Sequence, residues 1–290
     1  MPIPSTFSIV AYDPNEPAWG VAVASKFLAV GAVVPWARAG AGAVATQSYA
    51  NTSYGPGGLD LMESGLSAEE VLHRLVSQDP EARSRQVGMV DAQGRAATFT
   101  GESCFDWAGG LTGDGFAIQG NILVGEQVIR SMAETFEKRR AESFTWKLYQ
   151  ALRAGDQAGG DRRGKQSAAI LVVKAQGGYG GFNDRWVDYR VDDHDDPIAR
   201  LGELLELHEL YLGKSSASDR IELKGEALIH LQRIMQKLGY YSASPEGAYD
   251  LTTRSALRAF IGNENFEERT DFEAGWIDRP VYEYLLKRFE

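Results

Sequence analysis

Residues 6–13 read TFSIVAYD, with Thr6 and Ser8 alternating against Phe7 and Ile9 in the manner of a half-buried strand. Met1-Pro2-Ile3-Pro4 stands in front, so a strand opens a few residues into the chain with Ser5 and Thr6 at its mouth. DPNEP then supplies a turn, and WGVAVAS (19–25) a second apolar run, which together predict a hairpin.

The pattern continues outward from that hairpin. RAGAGAVATQ (38–47) reads as a small-residue strand, and Gly58 to Ser77 reads as two helices, with a capping box at Ser67-Ala-Glu-Glu. RQVGMVDAQGRAATFTG (85–101) is a hairpin turning at Ala92-Gln-Gly, and GFAIQGNILVG (115–125) is a strand running into a helix from Glu126 to Arg139. A helix at Trp146–Ala154, the Gly-rich loop AGGDRRGKQ, the strands SAAILVVK and NDRWVDYRVDD, and a helix at Pro197–Leu212 follow. Hairpins grouped between paired helices predict an α+β fold of antiparallel sheets with helices stacked outside. GKSSASD (213–219) has linker composition, and beyond it the periodicity is helical, at 224–239 and 251–261. The boundaries expected are a first domain at 1–212, a linker at 213–222 and a small all-α domain at 223–290.

Composition narrows the function. The chain has 290 residues, 43% hydrophobic and 24% charged, with a formal net charge of −10, which argues against a nucleic-acid partner. No stretch approaches the ~20 apolar residues of a membrane span, and no membrane partner is expected. The single cysteine, Cys104, precludes an intramolecular disulfide and reads as a packed residue. With no export signal in view, cytoplasm is the default expectation.

Several blocks carry a family likeness: TFSIVAYD, GVAVASKFLAVGAVVPWARAGAGAVATQ, NTSYGPGG, RQVGMVDAQGRAATFTG, QGNILVG, GGDRRGKQSAA and RVDDHDDP. The segment from Thr6 to about His208 resembles the DUF1028 family, whose fold is placed in the Ntn-hydrolase superfamily. The resemblance implies a four-layer αββα sandwich in which the first strand offers a nucleophile and a free α-amino group serves as its base. An α-amine, with pKa near ~8, is a usable base at neutral pH, whereas a lysine at ~10.4 is mostly protonated. Thr6 is then the candidate nucleophile. Removing Met1 leaves Pro2 first, so a further cut between Ser5 and Thr6 is required. The alternative is that Thr6 is a β-branched strand residue behind a short tail.

The resemblance also asks for a cation near the nucleophile, with Lys26 and Arg38 at the ends of the next two strands as candidates; each is otherwise a solvated surface charge. Thr46, Gln47 and Asn51 could supply donors to a developing oxyanion, or form a polar loop capping the next helix. Gln119 and Asn121, amides in an otherwise apolar strand, either line a site or staple loops. In GGDRRG, Arg162 or Arg163 suits a substrate carboxylate, while Asp161 could instead hold one of them in a structural ion pair. DDHDDP has metal-ligand residue types around His194, but Asp196-Pro197 is a good helix N-cap pair, and no metal or cofactor is assigned.

The last segment, LQRIMQKLGYYSASPEGAYDLTTRSALRAFIGNENFEER (231–269), is similar to peptidoglycan-binding domains in its apolar pattern. Pro245-Glu-Gly stands where that family has an Asp-Gly turn. The function expected is an Ntn-type amidohydrolase acting on a small amide or peptide-like C–N bond. The alternatives are a catalytically silent ligand- or partner-binding protein and a cell-wall binding protein. The expected partners are a small amide substrate and a peptidoglycan fragment, with a homo-oligomer left open.

Overall fold

The structure is a computed structural model describing residues 6–139, 141–213 and 215–290. The chain divides into two compact units, Met1–Gly202 and Glu203–Glu290.

In the first unit the elements follow in chain order. They are β1 (Thr6–Asp13), β2 (Ala18–Ser25), β3 (Pro35–Arg38), β4 (Gly42–Ser48), α1 (Tyr54–Glu63), α2 (Ala68–Gln78), β5 (Arg85–Asp91) and β6 (Ala96–Thr100). There follow β7 (Gly109–Gly113), β8 (Phe116–Asn121), α3 (Gln127–Lys138), α4 (Phe144–Gln157), β9 (Ser167–Lys174), β10 (Arg185–Val191) and α5 (Pro197–Leu212), which begins in this unit. One six-stranded sheet has the order β10-β9-β2-β1-β8-β7, and a four-stranded sheet the order β3-β4-β5-β6. Every pairing in both is antiparallel.

The two sheets face each other across a core that includes Val10, Val21, Val23, Ala43, Val90 and Leu171. Helices α1 and α2 cover the outer face of the second sheet, where Tyr54, Leu59, Met62 and Val71 pack on Val44, Val87 and Met89. On the outer face of the first sheet, α4 lies so close to β2 that a Cβ on Gly20 would come within 2.5 Å of Leu148 Cδ1. Strand β1 is therefore interior on both sides, and its alternation separates two buried surroundings rather than core from water: six of its first residues, Thr6 to Ala11, are all buried. The capping box at Ser67 is present, with the Ser67 hydroxyl accepting from Glu70 N and the Glu70 carboxylate accepting from Ser67 N.

The second unit holds β11 (Arg220–Glu222), α6 (Gly225–Lys237), α7 (Leu251–Asn263), β12 (Thr270–Asp271), β13 (Trp276–Asp278) and α8 (Arg279–Phe289). The helices enclose Leu231, Ile234, Leu257, Phe260, Phe266 and Leu285. The all-α expectation is corrected in one respect, because β11, β13 and β12 form a small three-stranded sheet. Short two- and three-residue strands leave no periodicity to read. Residues 220–222, inside the segment expected to be a linker, form β11. Arg269 is buried here, its Nε donating to Asp278 Oδ2 at 2.6 Å, its Nη1 to the carbonyls of Glu209 and Gly213, and its Nη2 to Ser215 Oγ. Among the described residues no helix is long and apolar enough to cross a membrane.

Candidate active site

The register of the first sheet assembles a row of short polar side chains at one end. Thr6 on β1 lies opposite Ser25 on β2 and Asn121 on β8, and Ser25 in turn lies opposite Ser167 on β9. All four are buried. Thr6 Oγ1 donates to Ser25 Oγ at 3.2 Å. Ser167 Oγ accepts from Val30 N and donates to the carbonyl of Phe27, which fixes the turn leaving β2.

Beneath this row, between the two sheets, runs a belt of neutral amides. Gln47 on β4 donates through Nε2 to Gln86 Oε1 at 2.8 Å and to the carbonyls of Thr6 and Gln119 at 3.3 and 3.4 Å, while its Oε1 accepts from Ser8 Oγ at 2.6 Å. Gln86 Oε1 also accepts from Asn121 Nδ2 at 2.9 Å, and its Nε2 donates to the Gly120 carbonyl at 2.7 Å. Gln119 Nε2 reaches Ser8 Oγ at 2.6 Å. These amides are satisfied by one another, by Ser8 and by backbone carbonyls of β1 and β8, and an unpaired buried amide costs about 1–3 kcal/mol.

Beyond Asn121, the chain leaving β8 pairs with the Gly-rich loop. Arg162 N donates to the Ile122 carbonyl at 3.0 Å, Val124 N donates to the Gly160 carbonyl at 3.2 Å, and Leu123 and Asp161 form an antiparallel bridge. Phe105 and Trp107 serve the opposite side of 122–123, accepting from Ile122 N and Leu123 N. Residues 160–162 thus run alongside the chain that leaves β8. Asp161 Oδ2 also accepts from Lys26 N at 2.8 Å, closing this end of β2. The positive φ of Gly159 (113°) and Gly160 (52°) lets the loop bend into this pairing.

Comparison with known proteins shows where this arrangement belongs. The family model described as "Family of unknown function (DUF1028)" matches residues 6–201. The chain belongs to the DUF1028 family. A crystal structure of a DUF1028 protein from Silicibacter pomeroyi is 31% identical, covering 74% of this chain and 92% of that one, with a TM-score of 0.64. Anbu, described as an ancestral beta-subunit, from Yersinia bercovieri is 9% identical over 72% of this chain and 99% of that one, with a TM-score of 0.31. The model described as "Putative peptidoglycan binding domain" matches residues 211–285. No curated protein matches the chain.

Within the DUF1028 unit, the residues singled out from sequence separate into those gathered at this end and those placed elsewhere. Thr6, Gln47, Gln119 and Asn121 are gathered, as are Lys26, Asp161, Arg162 and Arg163 around the loop. Arg38 is not. It pairs with Gly42 at the far end of β4, five positions from Gln47 or about 16 Å along the strand. Its guanidinium binds Asp60 at 2.9 Å and Glu63 at 2.7 Å, which raise its pKa, the Asp60 hydrogen bond most. Gln47, expected as an oxyanion donor, directs its amide protons at buried acceptors, Gln86 Oε1 and the carbonyls of Thr6 and Gln119. Thr46 Oγ1 on β4 donates to the Asn51 carbonyl at 3.1 Å, and Asn51 donates to Asp79 at 3.0 Å and accepts from Ser53, so both hold the loop that leaves β4.

That loop is held by Asp79, which sequence reasoning passed over. Its carboxyl lies well below the usual carboxylate range, chiefly through the Arg85 hydrogen bond, with Asn51, Glu81 N and Tyr54 adding to it. Burial, then Asp79, pushes the Tyr54 phenol up. In the Gly-rich loop, Asp161 takes the structural part: Oδ1 accepts from Arg163 N at 2.8 Å and Oδ2 from Arg163 Nη2 at 3.1 Å. Lys26 Nζ donates to the Lys165 carbonyl, and Lys165 pairs with Asp156 at 2.7 Å and Asp196 at 3.5 Å. A cleft of about 80 Å³ opens beside this loop, lined by Phe7, Ala24, Ser25, Asp161, Lys165 and Ser167 among others. Thr6 does not line it. Cys104 is buried, its thiol pushed up by burial. In DDHDDP, Asp196 Oδ1 accepts from Ala199 N, capping α5.

Proposed function

We propose that this DUF1028 protein is an Ntn-type amidohydrolase in which Thr6, once it is the first residue, attacks a small amide or peptide-like carbonyl. The observation that carries the proposal is where Thr6 sits: it is a buried hydroxyl residue of β1 at the end of the sheet where residues 160–162 pair with 122–124 and bring a charged loop beside it. The order of helices, sheet, sheet and helices supports the same assignment.

The chemistry follows from what surrounds Thr6. No carboxylate, amine or imidazole hydrogen-bonds its hydroxyl among the described residues; the partner is Ser25. A base must come from Thr6 itself. With the Ser5–Thr6 bond hydrolysed, the α-amine takes the Oγ1 proton as Oγ1 bonds to the carbonyl carbon. The C–N bond then breaks as the leaving amine takes that proton, and water hydrolyses the resulting ester. Gln47, on the Thr6 carbonyl, holds the nucleophile in place, and residues 1–5, where the cut falls, lie outside the described residues.

The test is intact-mass spectrometry on chain made without an amino-terminal tag, together with turnover of an amide panel. A mass beginning at Thr6 and loss of turnover in Thr6→Ala are expected. An uncut chain that turns nothing over would favour a silent binding protein, for which the full burial of the Thr6 hydroxyl speaks. The match at 211–285 supports a second role, attachment to peptidoglycan, and co-sedimentation with purified sacculi tests it.

A further inference from the structure

Among the described residues of the first unit the exposed large apolar side chains fall in two places: Tyr179 and Phe182, each 91% exposed, in the turn between β9 and β10, and Leu28, Tyr49, Phe105 and Val124, 58%, 39%, 45% and 44% exposed, around the end of the sheets that carries Thr6. Tyr49 directly follows Ser48, the last residue of β4, and Leu28 follows the end of β2. Phe105 accepts from Ile122 N, and Val124 N donates to Gly160, so both flank the strand end next to Thr6. Large apolar groups left in water around a polar floor mark a ligand surface more often than chance exposure does.

The charges of the adjoining loop are nearly all engaged. Asp161 is saturated by Lys26 N and Arg163, Lys165 is held by Asp156 and Asp196, and Lys26 by the Lys165 carbonyl. Arg162 is the exception: its backbone is pinned to Ile122, while its exposed guanidinium has no hydrogen bond or ion pair among the described residues. An exposed guanidinium on a backbone tied to Ile122, the residue that also donates to the Phe105 carbonyl, is complementary to a carboxylate. Among the described residues the floor under Thr6 is uncharged, and Asp161, the buried carboxylate of the adjoining loop, is already satisfied, so neither offers an acceptor to a substrate ammonium.

We infer that the site takes an acylated amino acid: an apolar acyl group on the rim of Tyr49, Phe105 and Val124, the amide at Thr6, and the carboxylate on Arg162. This rests on Thr6 marking the reacting centre. The experiment is calorimetric titration of the full chain carrying Thr6→Ala with N-octanoylglycine, N-octanoylglycinamide and leucylglycine. Saturable binding of N-octanoylglycine is expected, weakened at least tenfold in the glycinamide, in leucylglycine and in Arg162→Gln, and unchanged in Arg130→Gln on α3. Equal binding of acid and glycinamide, tight leucylglycine binding, an Arg162→Gln chain with unaltered affinity, or no binding at all would overturn it. Binding without turnover by the unsubstituted chain would sink the amidohydrolase proposal alone. Turnover of other amides without N-octanoylglycine binding would sink only the ligand assignment.

Discussion

Gln47 shows how little of the buried belt is free to do chemistry and how much it holds in place. Gln47→Leu keeps roughly the same volume but leaves the Thr6 carbonyl without this amide donor and Ser8 Oγ without its acceptor at Gln47. We expect a loss of about 1–3 kcal/mol, read as a lower denaturant midpoint with an unchanged m-value; an unshifted midpoint would show that the belt adjusts without cost. Thr6→Ala removes one 3.2 Å hydroxyl contact and is expected to leave the midpoint within about 1 kcal/mol while abolishing any amide turnover. Gln119 and Asn121 were legible in the sequence because amides interrupt an apolar strand. Their partners, the Ser8 hydroxyl and the Gln86 amide, stand near strand mouths, where polar residues read as solvent-facing. Arg38 misled for the opposite reason: its small neighbours gave no sign of Asp60 and Glu63, which reach it from α1.

Among the elements, the loop between β4 and α1 depends on a single carboxylate. Asp79 closes α2 and joins Arg85 of β5, Asn51 and Tyr54. Because its folded pKa is depressed, the stability it contributes is fully present above the ordinary carboxylate range of about 4 and is lost as pH falls through that range toward the folded value. Asp79→Asn should therefore flatten the acid limb of a stability-versus-pH curve measured by thermal melting, and a limb of unchanged steepness would assign acid sensitivity elsewhere. At the start of the same helix, Ser67→Ala removes the capping box and is expected to cost about 0.5–2 kcal/mol. The capping box and hairpins were readable because turn chemistry and caps are local. β3 and β7 were not: PWAR is too short for a period, and GGLTG lacks the β-branched or aromatic residues that announce a strand.

For the whole molecule, the sequence specified the family and the antiparallel architecture, while the boundary between units depends on contacts no local pattern reveals. Arg269 carries that information in the second unit, since it ties Glu209, Gly213 and Ser215 to Asp278. Arg269→Ala leaves a buried Asp278 carboxylate without its partner, an uncompensated charge costing about 3–5 kcal/mol. Limited proteolysis with mass mapping should then cut faster around 215–219 than in the unsubstituted chain; equal rates would mean that the segment is held by something other than Arg269. The neutral belt beneath Thr6 has one more consequence for the molecule in solution. Its donors and acceptors are dipoles without net charge, whereas the ion pairs of the 156–165 loop are exposed to screening by salt. Raising ionic strength should therefore loosen the 156–165 loop while leaving the floor intact, so that salt alone can separate what the loop contributes from how Thr6 is held.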